Sequence, residues 1–158
     1  MADCCLSPAI EIDARMCPAC RQRGVPVELQ TVKALLTEHA LRRIQHTHYR
    51  FCGNPGCRTV YFGDAGDRFE TRELRVLVWQ KEPEGARLFC YCFGEDEATI
   101  RAELMEHGRS EVDHRIRAHI AAHRCACEMR NPRGACCLSD VIRAVERMEA
   151  AMLAAKEE

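Results

Sequence analysis

Twelve cysteines in 158 residues fall into six close pairs: Cys4/Cys5, Cys17/Cys20, Cys52/Cys57, Cys90/Cys92, Cys125/Cys127 and Cys136/Cys137. Thiols paired at such spacings hold a soft metal, exchange electrons or close disulfides. The chain begins MADCCLSPAIEIDARMC, with no basic stretch leading into an apolar segment, so it reads as cytoplasmic. In a reducing compartment, metal or redox chemistry outranks structural disulfides. Cysteine as a small buried hydrophobe accounts for one or two scattered positions, not for six pairs.

The first constellation is Cys17-x2-Cys20, followed about thirty residues later by Cys52-x4-Cys57. This is a zinc pattern: zinc takes four soft ligands in a tetrahedron, and a short-spaced pair in a tight turn supplies two. Pro18, Pro55 and Gly56 let the backbone curl around an ion. Four thiolates make a closed, structural site, because a catalytic zinc keeps one position for water. His39, His46 or His48 lies between the knuckles and could replace one thiolate; polar helix surface is the simpler reading. A thioredoxin-like redox pair needs a helix directly after the motif, and RQRGVPVELQ starts one poorly.

The second constellation is Cys90-Tyr91-Cys92, joined later by the cysteines of CACEMRNPRGACC. A 2Fe–2S cluster needs four thiolates, two per iron, and a C-x-C pair plus a later cysteine group meets that need. CYCF, followed some thirty-two residues on by CAC, resembles the bacterioferritin-associated ferredoxin type of domain. The longer loop CACEMRNPRGACCLSDV resembles the N-terminal domain of the CopZ copper chaperones of archaeal type. YRFCGNPGCRTVYF resembles the zinc half of that same family, so the likeness runs from about Cys17 to Val141. It implies one 2Fe–2S cluster and one zinc. The family's heavy-metal-associated domain has no counterpart here, since these residues contain no G-M-x-C-x-x-C loop. The resemblance matches Cys137 to the last cluster ligand, because CLSDVI opens the final helix. The third is Cys125 by spacing, or Cys127, which leaves a ten-residue step to Cys137; Cys127 is preferred. Cys125 and Cys136 then remain alternates, and adjacent residues such as Cys136 and Cys137 rarely both serve one small cluster.

Cys4 and Cys5 form a vicinal pair suited to Cu(I) or another soft metal, which prefers two thiolates. Glu95, Asp96 and Glu97 read as acids complementing a helix start rather than as a catalytic set. Arg109, His114, Arg115, Arg117 and His119 read as a solvated helix face, with a partner surface or hydrogen bonds to cluster sulfur as the alternative. Met148 and Met152 read as core. No serine–histidine–acid set, phosphate loop or dinucleotide fingerprint is present.

These residues need a scaffold. The expected class is α+β: a leader (1–16), a small zinc-knuckle α/β half (17–88), and a helical 2Fe–2S-binding half (89–158). Apolar spacing through TVKALLTEHALRRI predicts a helix capped by Thr31, and the Asn-Pro-Gly turn predicts a hairpin around Cys52 and Cys57. LRVLVWQKEPEGARLFCYC predicts one or two further strands. After Phe93 the spacing predicts two short helices, the first ended by Gly108 and the second capped by Ser110. An irregular cysteine loop and a closing helix with Val141, Val145, Met148 and Met152 on one face follow. A formal charge of −1 gives no field favouring nucleic acid or anionic membrane. The function expected is metal homeostasis: structural zinc, a redox-active cluster, and single electrons passed to a redox partner, a metal-transport protein or a bound soft metal. Copper kept as Cu(I) is one such use. A non-redox interaction module with zinc in both cysteine sets is the alternative, and a metal reductase ranks lowest.

Overall fold

The computed structural model describes residues 13–157, so Cys4 and Cys5 lie outside the described residues. The first half is built on an antiparallel sheet in which β1 (Val25–Val27), β2 (Tyr49–Phe51), β3 (Thr59–Gly63) and β4 (Arg68–Glu70) pair in chain order. Register sets Val25 opposite Phe51, Phe51 opposite Tyr61, and Tyr61 opposite Phe69. β-branched and aromatic residues suit such a pleated, half-buried surface. Tyr49, Phe51, Val60, Tyr61 and Phe69 form its core with Val32, Leu36 and Val78. Phe62 instead packs on Cys17, Cys52 and Cys57. A side chain at Gly24 would run into the Phe62 ring, 2.4 Å from its Cζ, so that approach requires glycine.

The helix expected from Thr31 onward is broken in two: α1 spans Leu29–Leu35 and α2 spans Glu38–Leu41. Leu36 turns extended between them to bridge Leu74, and Thr37, not Thr31, caps the second piece. Tertiary pairing overrides an unbroken apolar period. Of the one or two strands expected over residues 74–92, one forms, at Leu88–Cys90, and the part before Pro83 carries a short 3-10 turn at Trp79–Lys81.

In the second half β5 (Leu88–Cys90) pairs with the two-residue β6 (Glu95–Asp96). The helices are α3 (Glu97–His107), α4 (Val112–Ala121), α5 (Cys127–Arg130) and α6 (Leu138–Lys156). α3 ends on Gly108 in the left-handed region, φ 71°, where glycine carries no Cβ penalty. Ser110 Oγ accepts from the Val112 N–H at 3.3 Å, but the capping position of α4 is Glu111. The loop expected to be irregular carries the single turn α5. Phe89, Ile100, Leu104, Val112, Ile116, Val141 and Ala144 form a second core, with Val145, Met148 and Met152 packed on it. Among the described residues the two halves make an α+β fold with six α-helices and small antiparallel sheets. No described helix is long and apolar enough to cross a membrane.

Candidate metal centres

The first site is assembled from two knuckles. In Cys-Pro-Ala-Cys, the Cys17 N–H donates to the Gln22 carbonyl and the Arg21 N–H donates back to Cys17, both at 2.8 Å. Arg21 adopts φ 63°, which is uncommon for a side-chain-bearing residue and closes this turn tightly. The second knuckle follows β2. There the Cys57 N–H donates to the Asn54 carbonyl at 3.1 Å, and Asn54 Oδ1 accepts from Gly56 N–H at 3.0 Å.

The four sulfurs of Cys17, Cys20, Cys52 and Cys57 lie within 4.8 Å of one another. Cys17 and Cys57 stand 4.0 Å apart, Cys20 and Cys52 3.6 Å. A tetrahedron with zinc–sulfur bonds of about 2.3 Å has sulfur–sulfur edges of roughly 3.8 Å. The donor set fits zinc. Cys17, Cys52 and Cys57 are buried against Phe62, which excludes water from the site. His39, His46 and His48 are not in the group.

The thiols are unequal. Burial opposes ionisation of Cys20, but hydrogen bonds from the Gln22 backbone, Asn54, Cys52 and Cys17 outweigh it and hold that thiol to about 6. Burial pushes Cys52 up to about 12. Lys81, in the 3-10 turn, donates from Nζ to the carbonyls of Asn54 and Cys57, each at 2.8 Å. Burial lowers its pKa while the charges of Cys52, Cys57, Cys17 and Cys20 raise it. A cation thus sits against a site that carries net negative charge when its thiolates form. Nothing in the local spacing of the sequence indicated Lys81; only the chain's return past the second knuckle brings it there.

The second set is looser. Cys92 and Cys127 sulfurs stand 3.8 Å apart, and the Ala126 N–H points at Cys92 Sγ at 3.3 Å. Cys137 hydrogen-bonds to both Cys127 and Cys90, which with burial drives its own pKa far upward. The same bonds come first among the causes that hold Cys90 to about 7 and Cys127 to about 6. Cys90, Cys127 and Cys137 are buried, and Cys92 is half-buried. Cys125 is half-buried, its pKa raised by burial, and Cys136 is exposed. Cys90, Cys127 and Cys137 belong to one buried cluster, with Cys92 and Cys125 packed against it. Among the described residues, no three sulfurs of this set are as mutually close as those of the first site.

The remaining candidates hold structure together. Glu95 is buried and takes a two-pronged bond from Arg115 at 2.8 and 3.0 Å, while Arg115 also pairs with Glu103 at 2.7 Å. Arg115 thus ties β6, α3 and α4 together while its side chain stays 38% exposed. Asp96 caps α3, its Oδ1 accepting from Thr99 N–H at 2.8 Å, and Glu97 Oε2 accepts from Gly85 N–H at 2.6 Å. Of the three acids only Asp96 and Glu97 serve the helix start. Arg109 and Arg117 pair with Glu111 and Asp113. His119 stacks on Phe93 with ring centroids 3.6 Å apart. His114 is exposed.

A fold with four closely gathered thiols in its first half is that of a zinc-binding domain, and residues 14–75 match the zf_CopZ family model, a zinc binding domain. The chain is similar to the crystal structure of the Archaeoglobus fulgidus CopZ N-terminal domain at 28% identity, with a TM-score of 0.66. That likeness covers 81% of this chain and 95% of the other. No curated protein matches the sequence. The first half thus carries a zinc-binding domain similar to that of CopZ, with four cysteines placed to bind a metal.

Two outcomes are expected at the first site. Lys81→Met removes both carbonyl contacts and the nearby charge, and should weaken zinc binding by about ten- to a hundredfold; chelator competition measures this, and an unchanged affinity would refute the role. Zinc binding competes with protons for thiolates. Cys52 is protonated at neutral pH, so zinc uptake must release that proton and affinity should rise with pH. Calorimetry in buffers of different ionisation enthalpy reads the release, and zero protons released at neutral pH would contradict it.

Proposed function

We propose that this chain is a metal-homeostasis protein of the cytoplasm with two separate metal centres. Cys17, Cys20, Cys52 and Cys57 would hold structural zinc, and Cys90, Cys92, Cys127 and Cys137 a 2Fe–2S cluster. It would pass single electrons to a redox partner, a metal-transport protein or a bound soft metal such as copper. A cluster bound there supplies one-electron transfer whose potential depends on exposure and hydrogen bonds to sulfur.

The observation that carries this reading is the difference between the two thiol sets. The first has the compactness of one tetrahedral ion. The second is spread through one buried cluster of Cys90, Cys127 and Cys137, with Cys92 packed against it at a single-metal spacing of 3.8 Å from Cys127. Four thiolates spread beyond one tetrahedron suit two irons better than one zinc. The chain's own residues supply the rest. Phe89 and Ile100 belong to the apolar core that also contains Cys90, Cys127 and Cys137. Ala126 N–H offers Cys92 a hydrogen bond that favours a more reduced state. Cys92 is the least buried residue of the set, which makes its side the route for electrons.

Anaerobic purification with iron, sulfide and zinc quantified tests the proposal. About two irons and two sulfides per chain, with visible absorption, are expected beside one zinc. Cys92→Ser or Cys127→Ser should abolish the colour, whereas Cys125→Ser and Cys136→Ser should keep it. A colourless preparation with about two zincs and no acid-labile sulfide would replace this function with a non-redox zinc module.

A further inference from the structure

Three hydrogen-bonded bridges link the halves, and two of them end on backbone of the segment between Cys127 and Cys137. Thr31 of α1 is fully buried, and its hydroxyl donates to the Glu128 carbonyl of α5 at 2.6 Å. Tyr61 of β3 is fully buried as well, and its hydroxyl donates to the Pro132 carbonyl at 2.6 Å. Glu128 follows Cys127, and Pro132 lies in the loop running on to Cys137. Gly134, at φ 67°, rests so close to Thr31 and Val27 that a Cβ would meet Thr31 Oγ1 at 3.0 Å. Inside the loop, Asn131 accepts from Arg133 N–H at 3.1 Å and donates to the Ala135 carbonyl at 2.8 Å, so the segment moves as a unit.

The third bridge starts at Tyr91, between Cys90 and Cys92. Its hydroxyl donates to the Leu77 carbonyl at 2.6 Å and accepts from Trp79 N–H at 3.0 Å. Trp79 opens the 3-10 turn that carries Lys81 to the Cys57 carbonyl. Each arm of the second set is therefore tied by a hydroxyl to the half that contains the first.

Resting on the ligand reading above, we infer that Thr31 and Tyr61 are positioning residues: the zinc-binding half presets the loop that presents Cys127 and Cys137. A carbonyl that loses its side-chain donor at this contact is left under-satisfied, and the loop opens more often. Because Cys127 and Cys137 are 8% and 2% exposed, alkylation at them reports that opening. Exposed Cys136 serves as an internal reference.

Iodoacetamide labelling of the anaerobically purified chain, read cysteine by cysteine by mass spectrometry, tests the inference. Thr31→Val and Tyr61→Phe should each speed labelling of Cys127 and Cys137 by roughly five- to tenfold, the scale of one lost buried hydrogen bond. Cys136 should not change, and zinc should stay at the parent level. Thr31→Ser keeps the hydroxyl and should restore the parent rate. Tyr49→Phe deletes another buried hydroxyl in the same half, one bonded to Asp67 rather than to the loop, and should not speed labelling. Parent-like rates in Thr31→Val and Tyr61→Phe, or equal acceleration by Tyr49→Phe, would overturn the inference. Iron and sulfide content of the parent judges the cluster reading separately, since labelling reports loop opening whether or not the set binds iron.

Discussion

Four thiols crowded within 4.8 Å cannot all ionise without a cation among them. That constraint governs the first half of the molecule. Like charges at this spacing repel strongly where water is excluded, and the thiols are already unequal: hydrogen bonds hold Cys20 to about 6 against burial, while burial pushes Cys52 up to about 12. A divalent ion removes the conflict and joins four points on two distant knuckles, so metal binding and folding become one equilibrium. The sheet from β1 to β4 and its aromatic core follow from the need to bring residues 17–20 and 52–57 together. Lys81 adds a fixed positive charge behind them.

The second half extends the same principle with a different shape. Its thiols do not meet at one point: Cys92 and Cys127 stand 3.8 Å apart, and Cys90 and Cys137 lie with Cys127 in the same buried cluster. Helices α3, α4 and α6 supply the apolar floor, and the Glu95–Arg115–Glu103 strut fixes how β6 meets them. The hydroxyls of Thr31, Tyr61 and Tyr91 then join this half to the first.

Local chemistry was legible in the sequence, and long-range contact was not. The C-x2-C and C-x4-C knuckles, the Asn-Pro-Gly turn, the glycine stop of α3 and the apolar face of α6 are all set by neighbours a few residues apart. The α+β class followed from the change in period after Phe93. The unbroken helix from Thr31 failed because Leu36 pairs with Leu74, a partner thirty-eight residues away, that no helical period reveals. Thr31 read as a cap, but its hydroxyl serves a carbonyl ninety-seven residues on. Spacing alone favoured Cys125 slightly over Cys127. In the fold, Cys127 is buried with its sulfur 3.8 Å from that of Cys92, whereas Cys125 is half-buried.

The central claim is that one chain holds two chemically distinct thiolate centres. X-ray absorption at the zinc and iron edges of a single anaerobic sample tests it most directly. Expected are a zinc edge with four sulfur neighbours at about 2.3 Å, and an iron edge with sulfur ligands and a second iron close by. Zinc bound to four sulfurs in twofold excess over protein, with no iron signal, would contradict the account.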